Sequence, residues 1–398
     1  MSTPGKLKKL NWSERNYAVL NRLITDYGKD GVYYDSNKPP YVVLDWDQTC
    51  AHLDVQEAVM HYQLFNLRLK LTKEQFKDLL KDEINGVTNL SVDFQKVKLA
   101  DVNHDLLTAY SFLYDNFIAL GGTMSLDEIK LTPAYYEFIA KIPFLYAGYC
   151  STPGITDYYA YPWIIGLLSG QTTDEVRLLA RDAINFELQN KLAKKILSCA
   201  DNPSSKVGSV RIGISTGLRV IPEMQNLINC LNESGIDVYI VSASFKPVVE
   251  VFSGLGSFGY NVFAENVIGM QLETTDENII LPHYKSGWPV TYREGKVTAI
   301  NRIIKSGLCK TWDPVFSAID SDGDYEMATS FQDMKLTLIW NRLKGGDIGK
   351  LCKRAVEEVT LATPRYILQG RDENTGKVIP FSESVLLGED EPRLLYGN

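Results

Sequence analysis

Apolar residues along this chain change their spacing twice, and the changes divide it. Between Ser13 and Gly28, Leu20, Leu23 and Ile24 fall at helical spacing behind a serine suited to cap a helix, and the glycine closes the stretch. A loop rich in Asp, Asn and Pro follows. Then Val42, Val43 and Leu44 succeed one another with no polar break, the pattern of a short strand buried on both faces of a parallel sheet. From about residue 54 to 71 apolar positions recur every three or four residues. Similar segments continue from residue 72 to about 200, with many aromatics and few alternating β-branched runs. This pattern predicts a mainly helical insertion. Thr72-Lys-Glu-Gln, Ser125-Leu-Asp-Glu and Thr172-Thr-Asp-Glu read as helix starts, each a hydroxyl residue followed by early acids that suit a helix N-terminus.

Near residue 205 strands and helices alternate again. The spacing predicts a strand at 210–214, a helix over 223–233 and a strand over 237–242. A helix opening at Lys246-Pro247 follows, then a hairpin region over 264–272 and a helix over 296–305. Further strands are expected at 314–320 and 336–340, with a turn over 371–376. The fold class implied is α/β, a Rossmann-like doubly wound parallel sheet with a large helical cap inserted after the first strand. On this reading residues 1–52 carry an N-terminal helix and the first core strand, 53–204 the helical cap, and 205–398 the rest of the core and a tail.

Composition narrows the field. At 398 residues, 45% hydrophobic and 23% charged, the chain resembles an ordinary globular protein, long enough for two domains or for one core with an insertion. A net charge of −8 argues against nucleic-acid partners, because such a field repels phosphates unless a metal or local basic groups oppose it. Six scattered cysteines, with no paired spacing, read as reduced and mostly buried. No apolar run reaches a membrane span, and the basic start of the chain lacks an apolar continuation. The expectation is therefore a cytoplasmic protein without membrane partners, or an exported one if a leader has been trimmed. Its oligomeric state is left open.

The strand at 42–44 ends in two carboxylates, Asp45 and Asp47, with Trp46 between them. In open α/β sheets ligands sit beyond the carboxyl ends of the strands. Two like charges so close disfavour the dianion unless a cation neutralises them, which points to a hard, oxygen-liking metal such as Mg²⁺. Two more expected strand ends carry polar groups, Ser242 and Asp320, and Lys296 opens a helix between them. A nucleophilic carboxylate, a proton donor, a hydroxyl, an ammonium and a metal site are what a phosphate monoester requires.

Asp45-Trp-Asp-Gln-Thr49, Ser242, Lys296 and Asp320-Ser-Asp-Gly-Asp-Tyr-Glu-Met327 resemble, in order, the four motifs of the haloacid dehalogenase superfamily of phosphohydrolases, over about residues 41–345. Tyr161-Pro-Trp-Ile, Gly217-Leu-Arg-Val-Ile-Pro-Glu-Met224, Val241-Ser-Ala-Ser244 and Tyr292-Arg-Glu-Gly-Lys-Val297 are similar to its phosphorylcholine- and phosphoserine-phosphatase-like branch. The resemblance implies that Asp45 is the nucleophile and Asp47 the acid and base. It implies that Asp45, the Asp47 main-chain carbonyl and Asp320 hold Mg²⁺, supported by Asp324, and that Ser242 and Lys296 grip the phosphoryl oxygens. Thr49 shapes the first loop.

The expected activity is hydrolysis of small amino-alcohol or amino-acid phosphates: phosphocholine, phosphoethanolamine or phosphoserine. Rival readings are a phosphotransferase or mutase of the same superfamily, and a phosphometabolite-binding protein without turnover. Asp54, Glu57 and His61 share a helical face that could hold a cationic head group with Asp54 and Glu57, although the branch carries two adjacent acids where this chain has Gln56-Glu57. Tyr158, Tyr159, Tyr161 and Trp163 are either cation–π faces or core aromatics. Asp322 and Glu326 read as a solvated acidic loop. A calcium loop does not fit, since Phe331 occupies its twelfth position. The four histidines read as structural or surface residues.

Overall fold

The computed structural model describes residues 6–394. Its centre is a six-stranded sheet of β1 (Tyr41–Leu44), β2 (Asp237–Phe245), β3 (Val267–Met270), β4 (Phe316–Ile319), β5 (Leu336–Trp340) and β6 (Tyr366–Gln369), in the order β3-β2-β1-β4-β5-β6. All five pairings are parallel, with Val42 opposite Phe316 on one side and Val238 on the other. This is a doubly wound sheet, and its strand order reverses between β1 and β4, where such sheets form their ligand crevice.

The unbroken apolar run in β1 has a simple cause. Successive side chains point to opposite faces, and both faces are covered. Val42 and Leu44 enter the larger core, while Tyr41 and Val43 enter a second core with Ile300, Ile304, Met327 and Leu351. Helix α1 (Glu14–Tyr27) is capped by Ser13, whose Oγ accepts from Asn16 N at 3.2 Å, and ends at Gly28. Asn16 Nδ2 donates to Leu368 O at 2.8 Å, so α1 shields the edge strand β6.

Between β1 and β2 lie α2 (Val55–Phe65) and the helices Lys73–Leu79, Leu99–Asn116, Leu126–Ile129, Pro133–Ser151, Asp157–Gly166 and Thr173–Gln189. The three hydroxyl starts expected from sequence all form reciprocal capping boxes, Thr72 with Gln75, Ser125 with Glu128 and Thr172 with Glu175. Two elements depart from expectation. The strand near 210 pairs antiparallel with Ala193–Ser198 as Arg211–Thr216, a ribbon outside the central sheet, and the expected break at 204/205 falls inside it. Residues 267–270 form the parallel edge strand β3, and the hairpin lies just beyond, between Leu272–Thr274 and Ile280–Tyr284. The tail supplies the opposite edge, β6, which the sequence pattern did not mark. All six cysteines are free. Among the described residues no helix is long and apolar enough to cross a membrane.

Candidate active site

Asp45 and Asp47 leave the tip of β1 on one side because they are two residues apart, while Trp46 between them turns into the core against Tyr260 and Phe252. Asp45 Oδ1 lies 2.6 Å from Lys296 Nζ, which is also 2.6 Å from Asp324 Oδ1. Asp324 Oδ2 accepts from Asp320 N at 3.3 Å, and Thr49 Oγ1 donates to Asp320 Oδ1 at 3.4 Å. Carboxylate oxygens of Asp45, Asp320 and Asp324, all buried, lie within 4.8 Å of one another. Burial raises the Asp45 carboxyl, the charge of Asp324 adds to that, and Lys296 opposes it. Burial would lower the Lys296 ammonium, but Asp324 and Asp45 outweigh it and raise it.

Asp47 faces a different set of groups. Its Oδ1 accepts from Val55 N at 2.7 Å and its Oδ2 from Ser244 Oγ at 2.6 Å, with Ser242 Oγ at 3.3 Å. Burial and then the Asp54 charge push its carboxyl well above the ordinary range, against the Ser244 hydrogen bond. Ser242 is fully buried and its Oγ also accepts from Ser244 N at 3.0 Å. Ala243 and Ser244 stand at the cavity wall beside it.

The cavity over these groups has a volume of about 280 Å³, at the small end of ligand sites. Its roof is the helical insertion: Tyr146, Tyr161 and Ile164 line it, together with Asp54 and Glu57. Among the bonds that tie this roof to the core are Tyr292 Oη to Asp157 Oδ2 at 2.6 Å and Tyr158 Oη to Glu294 Oε2 at 2.5 Å.

The face expected to carry Asp54, Glu57 and His61 is divided. Asp54 precedes α2 as its N-cap, accepting from Glu57 N at 2.8 Å, and His61 is buried against Phe65. Glu57 alone keeps a carboxylate with no hydrogen-bond or ion-pair partner among the described residues. Gln56 is structural, accepting from Phe245 N at 3.1 Å. Of the aromatic run only Tyr161 lines the cavity; Tyr159 packs on Tyr149, and Trp163 donates to Leu79 O at 3.0 Å.

Sequence reasoning missed Arg342, Lys344 and Arg371. Arg342 pairs with Asp320 Oδ2, and Lys344 lines the cavity from the same loop after β5. The strand-tip rule that flagged Asp320 applies equally to β5 and would have drawn attention to both. Arg371, buried in the tail, donates to Gln48 O at 2.7 Å and thereby holds the loop after Asp47, where Gln48 has a φ of 64°. Asp322 and Glu326 are not freely solvated. Asp322 Oδ1 accepts from Ile348 N at 2.7 Å, and Glu326 pairs with Arg293 at 3.3 Å. Gly323 is required by packing, since a Cβ there would meet the Tyr292 ring at 2.7 Å.

A doubly wound sheet with paired aspartates beyond its first strand, and a lysine and two further aspartates around them, defines a haloacid dehalogenase-like hydrolase fold. The chain is 27% identical over 158 residues to the phosphorylcholine phosphatase of Pseudomonas aeruginosa, a match over 39% of this chain and 42% of that protein, so the likeness spans less than half of that relative. It is 32% identical to a conserved, functionally unknown protein from Anaerococcus prevotii, whose crystal structure matches with a TM-score of 0.85 over 97% of this chain and 100% of that one. A phosphoserine phosphohydrolase-like protein from Francisella tularensis aligns at 9% identity and a TM-score of 0.30, over 76% of this chain and 87% of that one, too slight a likeness to bear on the site. No family model matches the chain.

Proposed function

We propose that this chain is a Mg²⁺-dependent phosphomonoesterase that acts through an aspartyl-phosphate on small amino-alcohol or amino-acid phosphates, namely phosphocholine, phosphoethanolamine or phosphoserine. The observation that carries the reading is the convergence of Asp45, Asp320, Asp324 and Lys296 beside Asp47 at one edge of the sheet. Asp45 attacks phosphorus while the bond to the alcohol oxygen breaks. Asp47, whose burial favours the protonated form, gives that oxygen its proton, then takes one from the water that hydrolyses the aspartyl-phosphate and restores Asp45. Lys296 favours the ionised nucleophile, and with Ser244 and Lys344 it holds phosphoryl oxygens, while Ser242, buried behind the wall, accepts from Ser244 N and so positions that residue.

Three buried carboxylates at one point are a donor set for a hard cation, and they fit Mg²⁺. Asp45, Asp320, Asp324 and the Asp47 carbonyl would hold it, and once bound it supplies positive charge to the phosphoryl group. Lys296 and Arg342 cancel only part of the negative charge without it. Asp320→Ala is expected to raise the Mg²⁺ concentration for half-maximal activity at least tenfold and to change stability without metal much less. An unchanged Mg²⁺ titration removes Asp320 from the metal site. The broader test is phosphate release from a panel of monoesters with and without Mg²⁺; no release from any of them ends the reading.

Glu57 supports the choice of cationic leaving groups, with Tyr146 and Tyr161 beside it as cation–π faces. Above about pH 8, where Glu57 carries its charge, Glu57→Gln removes one charge-assisted contact, about 1.5–3 kcal/mol, so kcat/KM for phosphocholine is expected to fall roughly tenfold to more than a hundredfold. An aryl phosphate is expected to be nearly unaffected.

The same residue gives the selectivity a pH dependence. Burial, then the Asp54 charge, raise Glu57 to about 8, against Arg342 and Lys344. Raised, it is neutral at lower pH and gains its charge as pH climbs through that value. The ratio of phosphocholine to aryl phosphate kcat/KM should therefore rise between pH 7 and pH 9 in the wild type and stay flat in Glu57→Gln. A flat wild-type ratio would take the cation contact away from Glu57.

A further inference from the structure

A second cavity of about 240 Å³, room for about eight waters at their liquid volume, adjoins the first. Glu57, Tyr146 and Ser215 line both cavities and mark where they meet. The far chamber is built from one face of α2 (Met60), one face of the Pro133–Ser151 helix (Pro143 and Ala147) and the ribbon residues Ile212 and Ile214. These five side chains form an apolar stretch of the wall, which His61, Ser151 and Ser215 complete with polar groups, so an apolar group set against that stretch gains burial. Its one carboxylate, Glu57, stands at the boundary, where a cation bound in the first cavity would meet it.

We propose that this chamber receives the non-reacting end of the substrate's alcohol. The preferred esters are then phosphate monoesters of amino alcohols whose nitrogen carries an apolar substituent, the nitrogen resting at Glu57 and Tyr146 and the substituent passing beyond them. This rests on the phosphomonoesterase reading of the first cavity, and it narrows the substrate class within that reading. Burial of each methylene is worth about a fourfold gain in kcat/KM, so a butyl group in place of one methyl should favour the longer ester at least tenfold.

The test compares phosphocholine with its N-butyl-N,N-dimethyl analogue and an aryl phosphate, assayed with Mg²⁺ on the full-length wild type, on Ala147→Phe, which fills the chamber, and on Ile214→Ser, which makes its wall polar. The expected result is a butyl-to-methyl kcat/KM ratio of ten or more in the wild type, falling at least fivefold in each variant. Use of two variants on different elements guards against one of them misfolding, and the aryl phosphate rate reports the folded fraction of each. Hydrolysis of phosphocholine with a ratio near one in the wild type overturns the chamber's role while leaving the phosphatase reading in place. So does a ratio of ten or more that survives in both variants. No release from any ester overturns the phosphatase reading and this inference with it.

Discussion

Asp45→Asn is expected to lower phosphate release by roughly 10⁴-fold or more, the scale of losing a catalytic nucleophile, while leaving secondary structure and the thermal midpoint intact. The amide has the shape of the carboxylate but is too weak a nucleophile to form the covalent intermediate. The fold should tolerate it for an electrostatic reason. Asp45 shares its corner with Asp320 and Asp324, and burial together with the Asp324 charge already raises its carboxyl, so the wild type carries a repulsion that the amide relieves. Lys296 keeps a partner in Asp324 at 2.6 Å. The thermal midpoint without metal should therefore hold or rise, whereas a purely structural role for Asp45 predicts a fall. Retention of a tenth of wild-type activity by the purified variant would falsify the assignment of Asp45 as nucleophile.

What the sequence revealed, and what it hid, follows from how far each signal reaches along the chain. β1 was legible because burial on both faces leaves Val42, Val43 and Leu44 consecutive and apolar, and the capping boxes were legible because both partners lie within four residues. Asp45, Asp47, Ser242, Lys296, Asp320 and Asp324 could be found because each belongs to a spaced motif, and the structure brings all six together.

Strand β6, no shorter than β1, escaped notice because its apolar run Tyr366-Ile-Leu368 ends in Gln369, with no carboxylate at its tip to mark it. The Ala193–Ser198 strand did so because most of its side chains face solvent and it borrows stability from its partner strand. Arg371 and Tyr146 acquire meaning only through contacts far along the chain: Arg371 reaches back to Gln48, and Tyr146 lines both cavities with Glu57. No local pattern encodes such pairs. The divided roles of Asp54 and Glu57 were hidden similarly, since helical spacing places residues on a face but does not say where the helix begins. Here it begins one residue after Asp54, which makes that acid a cap.

The largest expected loss of stability lies away from the chemistry, in the helical insertion. Lys141, fully buried, sits 2.9 Å from Asp105, 3.3 Å from Glu137 and 2.9 Å from Ser205 Oγ. Asp105 also accepts from Lys206 N at 2.8 Å and Val207 N at 3.0 Å, so the cluster fastens the turn of the ribbon onto two helices. Lys141→Ala leaves Asp105 and Glu137 buried without their cation, which costs about 3–5 kcal/mol. Lys73→Ala, which breaks the more exposed pair with Asp115, should cost under about 1 kcal/mol.

Charge and packing can be separated. Lys141→Met combined with Asp105→Asn and Glu137→Gln removes every charge of the cluster, and recovery of most of the loss would assign it to the uncompensated carboxylates. The pH dependence supplies an independent check. Burial would raise the Asp105 carboxyl, but its hydrogen bonds from Ser205, Lys206 N and Lys141 hold it below the ordinary value. As pH falls the unfolded chain therefore takes up that proton first, and the stabilisation is complete above about pH 4 and lost as pH drops through the native value. The gap between wild type and Lys141→Ala, read from urea unfolding, should be widest near neutral pH and narrow below pH ~4. A gap no larger than that of Lys73→Ala, or one that widens in acid, would mean that the buried cluster does not hold the ribbon against its helices.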